Sequence, residues 1–256
     1  MSKKLKKIRC GRMVYMVCYT APDRSDSPRA RAEKLHASTA AREALNARTS
    51  CDKLERVLAA NFDDGDLYLT LTYDDAHLPE DRDAAVRRVR SFIPKLRAAR
   101  KARGQPLKYI YVTEGACPGG RLHHHMVINS TGEDLAEIKR LWIYGDNVEV
   151  RRLTFGRDYT YRDLAGYLTK EPREWGHPQV GERTWTPSLG LAHPEPETEE
   201  VPDYMALAAP PEAIDIYFEP PHQNGWGEYS YLRYMLPKTP GRKKPRTKRK
   251  RRRAKE

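Results

Sequence analysis

At residues 119–129 the sequence reads Gly119-Gly120-Arg121-Leu122-His123-His124-His125-Met126-Val127-Ile128-Asn129, which predicts a turn followed by a short strand. Because side chains alternate between the faces of a strand, His123 and His125 share one face. His124 lies on the other face with large apolar residues, where it packs or supports the ligands. Two imidazoles two residue rises apart, about 7 Å at the backbone, can converge on one cation. Paired surface imidazoles are the alternative interpretation.

A second strand is predicted directly upstream, at Lys108-Tyr109-Ile110-Tyr111-Val112-Thr113-Glu114, which is rich in β-branched and aromatic residues. The glycines and the proline between the two strands are typical of a hairpin connection. In an antiparallel pair, Glu114 lies at the strand end beside His123 and His125. Two imidazoles and one carboxylate, with open positions left over, suit Mg²⁺ or Mn²⁺ used as a Lewis acid. A solvated glutamate at a strand end is the alternative.

A helix is predicted downstream, where Thr160 and Asp163 form a T-x-x-D start signature and Pro172 stops the run. Tyr167 and Lys170 are i, i+3 neighbours and therefore share a helix face. A tyrosine beside a cation near a metal is a candidate nucleophile, because a phenol with its ordinary pKa near 10 must lose its proton to attack. From spacing alone, a tyrosine at the edge of the core beside a solvated lysine is the more common arrangement.

The 256-residue chain carries a net charge of +12 that is unevenly distributed. Residues 1–12 hold six Lys or Arg and residues 238–256 hold twelve, whereas residues 171–237 hold twelve Asp or Glu against three Arg. Such basic ends attract polyanions, so nucleic acid is the expected partner. A tail that only improves solubility has the same composition.

The composition also excludes several classes of protein. No apolar run approaches 18 residues and the basic N-terminal residues lack an apolar h-region, so neither a membrane span nor a secretory signal is predicted. The four cysteines have no C-x-x-C spacing, which argues against a zinc finger or a disulfide framework and predicts reduced thiols in a cytoplasm.

The order of predicted elements indicates the fold class. Strands are predicted at 13–19, 67–73, 108–114, 122–128 and 148–155, and helices at 29–61, 81–104, 131–141 and 160–172. From residue 67 onward the order is strand, helix, two strands, helix, strand. This order predicts an α+β protein whose antiparallel β-sheet has helices packed on it, as in ferredoxin-like or RRM-like folds. Pro94 predicts a kink or break in the second helix.

Four segments are predicted along the chain. They are a basic N-terminal arm (1–12), the catalytic domain (13–172), an acidic, proline-rich accessory segment with a possible added edge strand at 229–236 (173–237), and a disordered basic tail (238–256). The helix predicted over 81–104 carries many cations opposite its apolar stripe, a face that can follow DNA or be merely solvated. The candidate DNA contacts are Arg88, Arg97, Lys101 and Arg121.

Three blocks resemble the HUH endonucleases, specifically the rolling-circle replication initiators of small single-stranded DNA phages and related bacterial mobile elements. The blocks are 69–79, similar to the first motif of that family; 120–128, where the family has two histidines around a bulky residue; and 167–170, similar to Tyr-x-x-Lys. The chain departs from the pattern at His124, a position that is normally hydrophobic. It also has Asp163 where a second tyrosine would lie one turn from Tyr167.

The resemblance implies an HUH endonuclease fold and a metal-dependent nickase acting on a single-stranded DNA origin. It implies that His123, His125 and Glu114 hold the cation, that Tyr167 forms a 5′-phosphotyrosyl link, and that Lys170 steadies the developing charge. Because no P-loop motif is present, a host helicase and polymerase in the host cytoplasm are the expected partners, with no small-molecule cofactor and no membrane. A relaxase, a single-strand transposase and a non-catalytic single-stranded DNA-binding protein remain open.

Overall fold

Two five-stranded antiparallel sheets and four α-helices make up the part of the chain that the computed structural model describes, residues 2–21, 39–115, 120–156, 160–170, 184–224 and 227–238. The strands are β1 (Ser2–Cys10), β2 (Met13–Ala21), β3 (Leu67–Leu71), β4 (Tyr109–Glu114), β5 (His123–Ile128), β6 (Val148–Arg152), β7 (Thr186–Pro187), β8 (Glu197–Val201), β9 (Ile214–Asn224) and β10 (Gly227–Met235). The helices are α1 (Thr39–Asn61), α2 (Arg82–Ala102), α3 (Asp134–Leu141) and α4 (Arg162–Leu168).

The site-bearing sheet has the strand order β6-β3-β5-β4-β7. Along the chain its main elements follow as β3-α2-β4-β5-α3-β6, so the four main strands have the order and connectivity of a ferredoxin-like fold. Antiparallel pairing aligns Glu114 with His123 across β4 and β5, and Thr70 with His125 across β3 and β5. The predicted α+β class with an antiparallel sheet and packed helices is confirmed.

Alternation along the strands gives this sheet two different cores. Leu69, Leu71 and Met126 point to one face, where they are buried against the apolar sides of α2 and α3. Val112 and Val127 point to the other face, where they join the core formed with α1 and α4. His123 and His125 lie on this second face, because they alternate with Met126 along β5.

The other sheet has the order β8-β1-β2-β10-β9 and joins the two ends of the chain. Residues 2–10 of the segment predicted as a basic arm form strand β1, in which Leu5 is buried on one face and Ile8 and Cys10 on the other. The predicted edge strand at 229–236 corresponds to β10, which pairs with β2 and β9 and therefore lies inside the sheet. The accessory segment thus supplies three strands to this sheet.

Helix α2 continues through Pro94 without a break, so the prediction of a break there is wrong. Pro94 is exposed, where water can satisfy the carbonyl that the missing N–H leaves free. Burial of Val89, Phe92 and Leu96 against the sheet offsets the cost of about 3 kcal/mol that an interior proline brings.

Several predicted features fall partly or wholly outside the described residues. The helix predicted over 29–61 is present from Thr39 to Asn61, and residues 22–38 lie outside. Cys117 and the basic tail from residue 239 onward also lie outside the described ranges. Among the described residues, Cys10, Cys18 and Cys51 are buried free thiols. Within the same ranges no helix combines the length and the apolar character needed to cross a bilayer.

Candidate active site

Three potential metal ligands converge at the end of the β4–β5 hairpin. The Nε2 atoms of His123 and His125 are 3.1 Å apart, and a Glu114 oxygen, Oε2, lies 3.8 Å and 3.6 Å from them. The ligand atoms of this group all lie within 4.8 Å of one another. The spacing follows from the strand register, because Glu114 and His123 are direct cross-strand partners and His125 is two residues further on the same face.

Hydrogen bonds to the outer ring nitrogens orient both imidazoles. The carbonyl oxygen of Arg121 lies 2.8 Å from Nδ1 of His123, and since a carbonyl can only accept, this nitrogen carries the proton. The Tyr68 hydroxyl lies 2.7 Å from Nδ1 of His125, and the two rings stack with centroids 5.4 Å apart. With both Nδ1 atoms engaged in this way, the Nε2 lone pairs are directed toward Glu114. Metal-bound histidines are commonly held by such outer hydrogen bonds.

The environment of Glu114 fits a cation. Its side chain is only 3% exposed, and its Oε1 atom is buried without a hydrogen-bond partner. Lys170 approaches the other oxygen, with 3.7 Å between Nζ and Oε2. A buried carboxylate is costly unless it is paired or coordinates a metal, so the unsatisfied oxygen beside two imidazoles meets the requirements of a divalent cation site.

Helix α4 brings the candidate nucleophile to the same place. The hydroxyl of Tyr167 lies 3.3 Å from Nε2 of His125, and the ring is 43% exposed at the edge of the cleft. Nζ of Lys170 lies 3.7 Å from the centroid of the Tyr167 ring. Partial burial tends to lower the pKa of Lys170, but a hydrogen bond to Tyr167 and the charge of Glu114 outweigh it and raise that pKa, so the amine is protonated.

The start of α4 is fixed by local contacts. The Thr160 hydroxyl accepts a hydrogen bond of 3.2 Å from the backbone N–H of Arg162. Ala165 and Leu168 are buried against α1, so Tyr167 faces away from this core. The predicted helix start at Thr160 is therefore close to the observed one.

His124 lies in the opposite core. It is 0% exposed, and its ring nitrogens lie 2.6 Å from the Tyr73 hydroxyl and 2.9 Å from the Thr113 hydroxyl. Burial, and then the proximity of His123 and His125, lowers the pKa of His124 to about 3, so the ring is neutral. Of the two predicted roles, the structure places His124 among packed residues, on the face away from the ligand group.

A cleft of about 590 Å³ opens over the ligand group. It is lined by Tyr68, Thr70, Thr72, Arg121, Leu122, His123, His125, Glu149, Arg151, Leu164 and Tyr167. Sequence reasoning missed Tyr68, Thr70 and Arg151 as site residues. The outward side of β3 and the basic run at the end of β6 were the available signals, but their relevance depends on strands that pair over long sequence distances.

The predicted DNA contacts divide between the two sides of the sheet. Arg121 lines the cleft and donates a hydrogen bond of 2.8 Å to the Tyr73 carbonyl oxygen. Arg88, Arg97 and Lys101 project from α2, which covers the opposite face of the sheet. The structure therefore brings Arg121 to the ligand group and leaves the three α2 cations away from it, and their contact with DNA stays a prediction.

Comparison with known proteins identifies the site-bearing part of the chain. The family described as replication-associated protein ORF2/gene II protein matches residues 66–172, the span that contains β3 to α4 and all five residues predicted for catalysis and metal binding. No curated protein and no solved structure matches the chain significantly. The match agrees with the resemblance to rolling-circle initiators and with the histidine-rich motif. The domain at residues 66–172 belongs to this family of replication-associated proteins.

Proposed function

We propose that this protein initiates rolling-circle replication by nicking single-stranded origin DNA, with Tyr167 as the nucleophile. The observation that carries the proposal is the position of the Tyr167 hydroxyl, 3.3 Å from Nε2 of His125 in a cleft that also holds His123 and Glu114. The half-exposed ring can reach a phosphodiester in that cleft. A replication role follows from the family, and the nicking chemistry is the part that we add to it.

The cleft has the chemical character that a DNA backbone requires. Arg121 and Arg151 border it and can contact phosphates on either side of the reacting one. The hydroxyls of Thr70 and Thr72 line its wall. The cleft is open to solvent, and a flexible single strand can enter it more readily than a duplex.

The proposed cation site consists of His123, His125 and Glu114. A bound Mg²⁺ or Mn²⁺ would supply Lewis-acid polarisation of the phosphodiester. The two Nδ1 hydrogen bonds, to the Arg121 carbonyl oxygen and the Tyr68 hydroxyl, hold the imidazoles in the tautomer that leaves both Nε2 lone pairs available. Mixed nitrogen and oxygen ligation with open positions supports either metal.

The proposed reaction is a transesterification at phosphorus. The Tyr167 oxygen forms a bond to the phosphorus atom while the bond from phosphorus to the 3′ oxygen breaks. The phenol loses its proton, the departing 3′ oxygen gains one, and no water is consumed. The product is a 5′-phosphotyrosyl link together with a free 3′-OH that primes synthesis.

Lys170 supports this step electrostatically. Its ammonium group lies over the Tyr167 ring and within 3.7 Å of Glu114, so it can stabilise the phenolate before attack and the extra negative charge on phosphorus afterwards. Attack of the 3′-OH on the phosphotyrosine reverses the reaction and rejoins the strand. Host helicase and polymerase supply unwinding and synthesis.

The test uses full-length protein, labelled single-stranded origin DNA and Mn²⁺. We expect a covalent protein–DNA adduct on a denaturing gel, complete loss of it in Tyr167→Phe, and no change in the matched control Tyr204→Phe, because Tyr204 is 88% exposed away from the cleft. Persistence of the adduct in Tyr167→Phe would contradict the assignment of the nucleophile. Absence of any adduct with tight DNA binding would favour a non-catalytic DNA-binding protein.

A further inference from the structure

A second cleft, of about 480 Å³, lies between the sheet that contains β1 and the helices α1 and α4. Strands β9 and β10 contribute three tyrosines to it, Tyr217, Tyr229 and Tyr231. The strand register puts Tyr217 opposite Arg233, two residues beyond Tyr231, so these side chains share the sheet face that is turned toward α1. None of these residues belongs to the active site described above.

The tyrosines of this second cleft present open aromatic surface. Tyr217 is 50% exposed, and its ring centroid lies 6.0 Å from that of Tyr231. The guanidinium carbon of Arg233 lies 5.3 Å from the Tyr217 centroid. Tyr229 is partly exposed one row further along the same face. Aromatic rings beside cations in a groove are the means by which single-stranded nucleic acid is bound without sequence preference.

The charges in the second cleft favour an anionic ligand. Two of its three carboxylates, Asp52 and Glu55, are bound by Arg162 from α4. The third carboxylate, that of Glu219, lies 3.6 Å from His222. Three further cations line the cleft, and within the described ranges no carboxylate lies at ion-pair distance from any of them: Lys6, Arg48 and Arg56.

The second cleft adjoins the active site across one short helix. Arg162, at the start of α4, lines the second cleft, whereas Leu164 and Tyr167 of the same helix line the first. A DNA strand bound at Tyr167 therefore needs to cross only α4 to reach the tyrosines of β9 and β10. The two surfaces can bind one continuous strand.

We propose that the second cleft binds the single-stranded DNA that flanks the reacting segment. Bases stack on Tyr217, Tyr229 and Tyr231, and phosphates contact the cations of β1 and α1. This inference takes the identity of the ligand from the proposed function but does not depend on nicking. Binding here would hold the origin strand in place while Tyr167 reacts and would retain it after the link has formed.

The first test measures the affinity of the full-length protein for a fluorescent oligothymidylate of about 20 nucleotides, with metal chelated by EDTA. Tyr217→Ala is expected to weaken binding about five-fold or more, because stacking of one base contributes about 1–3 kcal/mol. The double variant Arg48→Gln/Arg56→Gln is expected to reduce the slope of log K against log salt by about 0.7 for each cation removed.

Matched controls separate this site from a general charge effect. Lys53→Gln removes an exposed cation from the same helix, and Tyr204→Ala removes a tyrosine that is 88% exposed, and neither residue lines either of the two clefts. Wild-type affinity and salt slope in both controls support the proposal. Wild-type behaviour of the second-cleft variants, or equal losses in the controls, would overturn it.

Photo-crosslinking gives an independent readout. An oligothymidylate that carries 5-iodouracil is expected to crosslink to peptides containing Tyr217, Tyr229 or Tyr231. Crosslinks confined to Tyr68 and Tyr167 would overturn the proposal. Because these measurements are made without metal, failure of the nicking proposal does not alter them. Likewise, adduct formation by Tyr167 can succeed even if the second cleft binds nothing.

Discussion

Single hydroxyl groups hold one imidazole of the ligand group and the histidine beside it. Tyr68 is bonded to His125, and Tyr73 and Thr113 are bonded to His124. The first contact orients a ligand toward a cation, while the other two satisfy a buried neutral ring. Three consecutive histidines therefore have two unrelated roles, decided by which face of β5 each one occupies.

Removal of the Tyr68 hydroxyl should weaken metal binding. Tyr68→Phe keeps the ring stacked on His125 but removes the partner of Nδ1, so we expect Mn²⁺ affinity to fall about 10- to 100-fold. Isothermal titration measures this directly. Tyr109→Phe on β4, which faces the α2 side of the sheet, is the control and should bind as the wild type does. Equal affinity of the Tyr68→Phe variant would show that its hydroxyl does not orient the ligand.

His124 should make stability depend on pH. Its pKa is lowered to about 3 in the folded protein, against about 6.5 in the unfolded chain, so the unfolded state binds more protons between these values. The stability contributed by the neutral ring is complete above pH 6.5 and is lost as pH falls toward 3, by up to about 1.4 kcal/mol per pH unit.

Urea unfolding at several pH values tests this expectation. His124→Leu should reduce the decline in unfolding free energy between about pH 6.5 and about pH 4.5, although Tyr73 and Thr113 lose their partner and stability at neutral pH falls by about 1–3 kcal/mol. An unchanged pH slope in His124→Leu would assign the acid sensitivity to other groups.

At the scale of elements, the β4–β5 hairpin aligns Glu114 with His123. Gly115 follows Glu114 with a φ of 89°, and a Cβ on it would lie 2.1 Å from the Arg121 carbonyl oxygen. That carbonyl also accepts the hydrogen bond from His123 Nδ1. The backbone at this position therefore determines both the register of the carboxylate and the tautomer of an imidazole.

Gly115→Ala should accordingly damage both stability and metal binding. We expect a loss of about 2 kcal/mol or more, since left-handed strain of about 1–2 kcal/mol is combined with a backbone clash. Gly65→Ala is the matched control, because Gly65 also has a positive φ of 95° but a Cβ added to it would meet nothing within 4 Å, so only the strain remains. Equal losses in the two variants, measured by urea unfolding, would contradict a steric role for Gly115.

The extent to which these elements could be predicted depends on how local their causes are. The shared face of His123 and His125 follows from strand alternation alone, and the structure agrees. The helical pattern puts Arg100 on the cationic, exposed face of its helix, but it is 0% exposed and donates a 2.6 Å hydrogen bond to Asp134. This error arises because the partner lies 34 residues away on α3, beyond the reach of any helical pattern.

For the molecule as a whole, the ligand group joins two strands whose alignment is set by folding, so a bound cation stabilises only the folded chain. Mn²⁺ at about 100 times its dissociation constant should raise the unfolding free energy by about 2.7 kcal/mol. Thermal unfolding with and without Mn²⁺ measures the shift, which Glu114→Gln should abolish. Glu149→Gln, at a carboxylate of the cleft outside the ligand group, should keep it.

The arrangement of the two sheets was less predictable than the sheet that carries the site. The lysines of β1 give residues 1–12 the composition of a basic arm, although Leu5, Ile8 and Cys10 are buried in two cores. The partners of β1, β2 and β8, include a strand almost 200 residues away. The position of Tyr167 was likewise inaccessible to spacing arguments, because it depends on how α4 packs against α1; family resemblance supplied it.

The exposure of the Tyr167 ring has a consequence for the steps after the first cut. A ring that is 43% exposed lies at the rim of its cleft, so a polymer anchored to it would extend outward into solvent. The protein could then ride on the end of the displaced strand while a polymerase copies the circle, without opening its own core. The returning 3′ end would find its target at the surface, and the joint could be closed as readily as it was made.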